Sequence, residues 1–213
     1  TIMKIDELMD HGPIVMQQRW EILNLPKPSL TAGIPAKGLG TKFEILNKSE
    51  ILNSKSQITY KELHDKLAGF GAKLLIEILP DYLAGKIKPA PQDDSKSTYS
   101  KILKKDDGRI DWSRKAEEIE RQIRAYESWP GSFTVWPDGK NYLRIKIEEA
   151  KTLDEEPPRG SAGFIWQNDN SDILVKAGQG SIEIKKITPA GSKTMTAGEF
   201  LRGYPNFIGT NLI

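Results

Sequence analysis

The C-terminal part of the chain, residues 131–213, constrains the fold most, because short runs of β-forming residues follow one another there. These runs combine β-branched and aromatic residues and lie at residues 133–136, 142–147, 163–166, 172–175 and 182–185. Turn signals separate several of them: Pro-Asp-Gly at 137–139, Asn-Asp-Asn at 168–170 and Gly-Gln-Gly at 178–180. Five or six short strands in a span of this length predict a small all-β barrel, with Trp136 and Trp166 in its core. A closing helix over 197–202, capped by Thr196, is predicted after them.

The opening of the chain predicts a short strand that leads into a turn bearing a carboxylate. An apolar run that includes Ile2 and Ile5 is followed by Asp-His-Gly-Pro at residues 10–13. A Gly-Pro turn after a strand can hold Asp10 at the end of a sheet, and an aspartate that merely caps its turn has the same pattern. Because the pattern starts abruptly at Thr1, we expect the chain to be a piece of a longer protein.

Two helices are predicted in the middle of the chain. The first begins after Thr59, which forms a capping box with Glu62, and apolar residues recur mostly every three or four positions over 63–79. One side of this helix should be buried, and Pro80 or Gly85 should end it.

The second helix is predicted over 114–126, after an Asp111-Trp112-Ser113 cap. One face of this helix is apolar and consists of Ala116, Ile119, Ile123 and Tyr126. The prolines at 89 and 91 predict an extended linker before it, and a basic segment follows that linker.

Composition excludes several classes of site. The 213 residues include no cysteine and only two histidines, so disulfides, cysteine-based zinc sites and histidine-rich metal sites are excluded, and we predict no metal. The absence of cysteine fits a reducing, cytoplasmic setting. The sequence contains no run of eighteen apolar residues, so it predicts no membrane span. The net charge of +2 is small, so any affinity for nucleic acid must come from local patches.

Several motifs resemble one family when they are taken in order. They are DGRIDW at 107–112, WPG at 129–131, PAGSK at 189–193 and EFLRG at 199–203, together with the turn at 10–13. The turn resembles that of the folate-dependent formyltransferases, and the other strings resemble the linker and C-terminal barrel of the methionyl-tRNA formyltransferases. The chain looks like the C-terminal two thirds of such an enzyme.

The resemblance implies a fold of two parts and a linker. Residues 1–87 would be the tail of an α/β, Rossmann-like catalytic domain, 88–130 a linker with a helix, and 131–213 an all-β, OB-like barrel. Residues 19–57 depart from the family as an insertion. That insertion could be a structural hairpin, which we favour, a contact to tRNA through its lysines, or a packing element.

The resemblance also implies an activity. These enzymes transfer a formyl group from 10-formyltetrahydrofolate to the amino group of methionine on initiator tRNA, which requires donors at an oxyanion and control of the amine proton. Asp10 matches the family's catalytic aspartate, which orients and supports a histidine. The family's asparagine and histidine have no match in this chain, so the 213-residue chain alone is expected to be inactive. We interpret His11 as an exposed turn residue and not as a substitute catalyst.

The family binds the acceptor arm of tRNA largely through phosphate contacts, for which lysine and arginine are suited. The candidates are Lys101, Lys104, Lys105, Lys185, Lys186, Lys193 and Arg202. For each of them a solvated surface residue is the alternative interpretation. Two other functions stay open: formylation of an amino sugar nucleotide, and a stand-alone nucleic-acid-binding module. We expect a cytoplasmic monomer.

Overall fold

The computed structural model describes residues 1–8, 10–18, 58–155, 157 and 160–213, and the predicted insertion at 19–57 lies outside them. The described residues fall into two compact units. The first draws on 1–58 and 67–97, and the second draws on 59–66 and 98–213.

The first unit contains a two-stranded antiparallel ladder. Strand β1 (Ile2–Met3) pairs with strand β2 (Ile14–Met16). The predicted apolar run is cut short, since Ile5 lies outside the strand and is 96% exposed. Ala90 extends the ladder on the other side of β2, through a backbone bridge to Ile14 with hydrogen bonds of 2.7 and 2.8 Å.

Helix α1 (Tyr60–Leu83) begins at the predicted capping box. The amide of Thr59 donates to the Glu62 carboxylate at 3.1 Å, and the amide of Glu62 donates to the Thr59 hydroxyl at 3.3 Å. The helix continues through Pro80, and Gly85 adopts a positive φ just after its end. Ile78 is its one buried side chain among the described residues. The expectation of a buried side is therefore met at a single position.

The second unit is built on an antiparallel sheet of six strands. They are β3 (Ser132–Asp138), β4 (Asn141–Leu153), β5 (Ile165–Gln167), β6 (Ile173–Lys176), β7 (Ser181–Pro189) and β8 (Met195–Thr196). Their order is β3-β4-β7-β6-β5, with β8 paired to β7. Each predicted run overlaps a strand or, at 163–166, the start of one. Irregularities in the β4–β7 register at Glu149 interrupt the ladder, and such irregularities bend a long strand.

The last five residues hydrogen-bond to both edge strands of this sheet. Val135 of β3 and Ile213 exchange two backbone hydrogen bonds of 3.0 and 2.9 Å. On the opposite edge, the Ile165 amide donates to the Thr210 carbonyl at 2.9 Å, and the Gly209 amide donates to the Ile165 carbonyl at 2.9 Å. The chain end thus satisfies backbone groups of both strands that would otherwise lie open.

The core of this unit centres on Trp136, as predicted. Its indole is fully buried, and its ring packs edge-on against Phe200 and Phe207, at centroid distances of 6.1 and 5.1 Å. The indole nitrogen donates to the Thr210 hydroxyl at 2.9 Å, so a buried polar atom is satisfied by the C-terminal segment. Trp166 is also buried. Phe200 comes from helix α3 (Ala197–Gly203), which begins at the predicted Thr196 cap.

Helix α2 (Ala116–Ala125) packs into the same core. Ala116, Ile119 and Ile123 are buried, as their spacing predicts. The predicted cap is wrong in detail: Asp111 accepts hydrogen bonds from the amide and hydroxyl of Ser113, which tightens a turn before the helix.

The buried indole nitrogen of Trp112 donates to the Thr134 hydroxyl at 3.0 Å. The core therefore extends across the predicted boundary at residue 131. The three-part division of the chain stays a prediction. Within the described ranges, no helix combines the length and apolarity that crossing a bilayer requires.

Replacing Ile119 by alanine should lower the free energy of unfolding by about 2–5 kcal/mol, because the side chain is fully buried and would leave a cavity. Urea denaturation measures this as a lower midpoint with an unchanged slope. The matched control is Ile102→Ala: this residue is 89% exposed, and its replacement should change the free energy by less than about 0.5 kcal/mol. Equal effects of the two substitutions would contradict the packing of α2 on the sheet.

Candidate functional site

Asp10 lies on a tight turn between β1 and β2. The Lys4 amide donates to the Pro13 carbonyl at 3.0 Å across the turn. A Cβ atom at position 12 would stand 1.8 Å from the Lys4 carbonyl oxygen, so only glycine fits there. Asp10 itself has a φ of 56°, in the left-handed region that aspartate tolerates better than most residues. The close approach of the chain at Gly12 thus determines where Asp10 stands.

Gln92 holds this turn from a distant part of the chain. Its side-chain amide donates to the carbonyl of Asp10 and to the carbonyl of Gly12, each at 2.8 Å. Both donors of one side chain are thereby used on the backbone that carries the carboxylate. The sequence offers no local signal for this contact, because some eighty residues separate the partners. The prolines at 89 and 91 predict an extended segment there and no contact for Gln92.

The Asp10 carboxylate is exposed, and neither a hydrogen bond nor an ion pair to it occurs in the part of the chain that the structure describes. A carboxylate in this state accepts hydrogen bonds and stabilises a nearby cation. It can therefore orient an imidazole and stabilise its protonated form.

His11 points to different partners from those of Asp10. Its Nδ1 lies 2.8 Å from Asp6 Oδ2, and its Nε2 lies 3.3 Å from Asp94 Oδ1. The hydrogen bond that His11 donates to Asp6, followed by the one it donates to Asp94, raises the pKa of His11 above its ordinary value of 6.5. The His11 hydrogen bond, and then the Leu8 amide, lower the pKa of Asp6. His11 is exposed and pairs with these acids, which agrees with its interpretation as a turn residue.

The seven candidate cations are not equivalent. Four of them lie against carboxylates: Lys101 against Asp107 at 2.7 Å, Lys185 against Glu183, Lys186 against Glu149 at 2.6 Å, and Arg202 against Glu199 at 3.9 Å. These contacts raise the pKa of Lys101 and the pKa of Lys186. The ammonium groups of Lys104, Lys105 and Lys193 form no ion pair among the described residues, although the Lys104 amide donates to Asp107 at 2.7 Å. An anion would meet less competition at these three.

The candidates also lie on separate elements. The first three fall on the segment 101–108, Lys185 and Lys186 on β7, Lys193 on the connection after β7, and Arg202 on α3. No group of three or more His, Cys, Asp or Glu side chains suited to a metal ion occurs within the described ranges.

Replacing Gln92 by methionine should loosen the Asp10 turn, because two backbone carbonyls lose their donors while the side-chain length is kept. Each lost bond costs about 0.5–1.5 kcal/mol. Amide hydrogen exchange at Ile14 and Ala90, which bridge beside the turn, should become at least about fivefold faster. Gln18→Met is the control, since the Gln18 side chain makes no hydrogen bond within the described ranges. Unchanged exchange in Gln92→Met would contradict the clamp.

The His11 pair should depend on pH in a defined window. A raised histidine pKa stabilises the fold fully below about pH 6.5, and this stabilisation is lost as the pH rises through the raised value. The lowered pKa of Asp6 adds stability above about pH 3.8 that is lost as the pH falls through the lowered value. In an NMR titration of His11, Asp6→Asn should lower the midpoint, and Asp94→Asn should lower it less because its contact is longer. A midpoint that does not move in Asp6→Asn would refute the pairing.

Comparison with known proteins places these features in a family. Residues 102–205 match the family model described as formyl transferase, C-terminal domain. The chain is 34% identical over 203 residues to a methionyl-tRNA formyltransferase of Chloroflexus aurantiacus, covering 95% of this chain and 54% of that protein. The enzyme of that name from Clostridium acetobutylicum is 38% identical over 185 residues, covering 86% of this chain and 57% of the relative. The enzyme of that name from Streptococcus thermophilus is 33% identical over 212 residues, covering 100% of this chain and 54% of the relative.

The chain thus spans a little over half the length of these relatives, less than the two thirds expected from the motifs. Among solved structures, HypX from Aquifex aeolicus in complex with tetrahydrofolic acid is 16% identical, with a TM-score of 0.46 over 65% of this chain and 24% of that chain. That likeness is too low to support an argument about the fold or the site. The sequence relatives and the domain match agree, and the chain belongs to the family of the methionyl-tRNA formyltransferases.

Proposed function

We propose that the protein transfers a formyl group from 10-formyltetrahydrofolate to the amino group of methionine on initiator tRNA. The observation that carries this proposal is the identity of 33–38% to enzymes of that name over 86–100% of the chain. That similarity includes the segment with the Asp10 turn, since one of these alignments covers the whole chain.

The proposed role of Asp10 is to position a catalytic imidazole supplied by another part of the protein. In formyl transfer the amine attacks the formyl carbon, and the bond from that carbon to N10 of the folate breaks. A group must take the proton that the amine loses, and the departing N10 must gain a proton. An imidazole does this best when a carboxylate orients it and stabilises its charged form. The exposed carboxylate on a turn held by Gly12 and Gln92 suits that task, because its backbone is clamped while its oxygens are available.

The finer description of the fold belongs to the same proposal. We take the second unit as an OB-like barrel, an idea supported by the hydrogen bonds from residues 209–213 to both edge strands. We take the first unit as the end of a Rossmann-like catalytic domain. The proposed partners are the folate donor and initiator tRNA, and the proposed setting is the cytoplasm, with the protein as a monomer and without a metal.

Replacing Asp10 by asparagine in the protein expressed from its complete gene should lower kcat by about 10²–10⁴-fold, because the neutral amide neither charges the imidazole nor sets its tautomer. The Kd for initiator tRNA should stay nearly the same, since Asp10 is not one of the residues proposed to contact tRNA. Single-turnover formylation and tRNA binding measure the two quantities separately.

Asp169→Asn is the matched control for this change, because Asp169 lies on an exposed turn of the second unit and its replacement should leave kcat unchanged. A near-normal kcat in Asp10→Asn would contradict the positioning role and leave Asp10 as a residue that only caps its turn. If the wild-type protein formylates an amino sugar nucleotide and leaves methionyl-tRNA unreacted, the proposed acceptor is wrong.

A further inference from the structure

A groove of about 270 Å³ on the second unit brings one candidate cation, Lys105, together with two cations that the sequence motifs do not single out. Lys105, Phe133, Arg144 and Lys146 line it, together with the turn at residues 189–192. We refer to it as the Arg144 groove. Its volume lies below the range of about 300–1,000 Å³ that is common for buried small-molecule sites, so it suits one charged group of a larger ligand.

Arg144 is held in a defined position within this groove. Its guanidinium carbon lies 3.6 Å from the centroid of the Phe133 ring, which is itself only 7% exposed. This cation–π contact covers one face of the guanidinium and leaves its N–H edges without a carboxylate partner in the described part of the chain. Arg144 is thus a preorganised cation whose planar fork matches the oxygens of a phosphate.

The other charges of the groove add to a positive field. Lys105 is exposed and has no acidic partner among the described residues. Lys146 is paired with Glu148 at 2.9 Å, and Glu148 also accepts a hydrogen bond from the Thr188 hydroxyl at 2.7 Å. The charged residues of the lining are thus three cations, and Arg144 and Lys105 form no ion pair in the part of the chain that the structure describes.

The turn at the rim of the groove offers neutral donors. The Ser192 amide closes it with a hydrogen bond to the Pro189 carbonyl at 3.0 Å, and Gly191 has a φ of 77°. The Gly191 amide and the Ser192 hydroxyl make no hydrogen bond within the described ranges. An anion in the groove therefore has both charged and neutral donors within the same lining.

We propose that the Arg144 groove binds a backbone phosphate of RNA and that Arg144 is its principal ligand. The inference rests on the proposed function, which supplies the nucleic acid, and it names the surface that receives it. Trp129 favours a nucleotide over a free anion: its side chain is 58% exposed and directly precedes Pro130, which lines the groove. An exposed indole beside a phosphate site offers a face on which a base can stack.

The groove differs from other candidate cations in the charges that surround it. Lys185 and Lys186 already contact Glu183 and Glu149, so a phosphate would have to displace those acids. Surface ion pairs contribute little, about 0–1 kcal/mol, but they cancel charge locally and reduce the number of counterions that binding can release. Neither Arg144 nor Lys105 forms an ion pair within the described ranges.

The test measures binding of fluorescently labelled initiator tRNA to the 213-residue chain over a range of salt concentrations. Arg144→Gln and Lys105→Gln should each weaken binding about tenfold at low salt, the loss expected for one charge-assisted contact. Each should also reduce the slope of log Kd against log salt by about 0.7–0.9. Arg144→Lys, which keeps the charge and loses the fork, should give an intermediate affinity. Trp129→Ala should weaken binding without changing the slope.

Lys140→Gln is the control, because Lys140 is also exposed and free of acidic partners in the described ranges but lies at the hairpin tip, about 13 Å along β4 from Arg144. Arg144→Gln should unfold cooperatively within about 4 °C of wild type, because only one cation–π contact is lost. If it binds tRNA as Lys140→Gln does, the groove assignment is wrong while tRNA binding stands. If wild type binds no tRNA at low salt, both the groove and the tRNA surface of the proposed function are overturned. Full affinity in Trp129→Ala would overturn the stacking part.

Discussion

The hydrogen bonds of the last five residues to both edges of the sheet are the constraint on which the second unit depends. Strands β3 and β5 end the strand order, and each would expose a row of unpaired backbone groups without the segment 209–213. The same segment supplies the Thr210 hydroxyl that satisfies the buried Trp136 indole, and the Ile213 carbonyl accepts from Thr134 at 3.1 Å. The pairing of the edge strands and the hydrogen bonding of buried polar side chains therefore both depend on residues 209–213.

In the turn that carries Asp10, contacts from distant residues offset the conformational cost of the backbone. A non-glycine residue with positive φ and a glycine whose absent Cβ permits a close backbone approach both carry a conformational cost. That cost is offset by the clamp from Gln92 and by the bridge between Ile14 and Ala90. The result is a carboxylate on a hydrogen-bonded turn whose oxygens have no partner among the described residues, which is the arrangement that a positioning role needs.

Electrostatics on the second unit are decided by pairing and not by the number of basic residues. Three of the six candidate lysines, Lys101, Lys185 and Lys186, contact an acid on the same or a neighbouring element. Arg144 differs because its partner is an aromatic ring, which holds the guanidinium without cancelling its charge. A protein with a net charge of only +2 can in this way present a local site for an anion.

The sequence by itself determined five of the six strands of the second unit, the capping box at Thr59, the cap at Thr196, the buried face of α2 and the family, because each of these depends on local period or on short motifs. It also indicated Asp10, through a turn pattern within five residues. Only the tertiary structure decided that Gln92 clamps that turn and that Arg144 rests on Phe133. It also decided that the core includes α2 and the chain end. These contacts join residues that are far apart in sequence or lie on different strands. Cross-strand register and long-range packing bring them together, and local sequence patterns do not specify either.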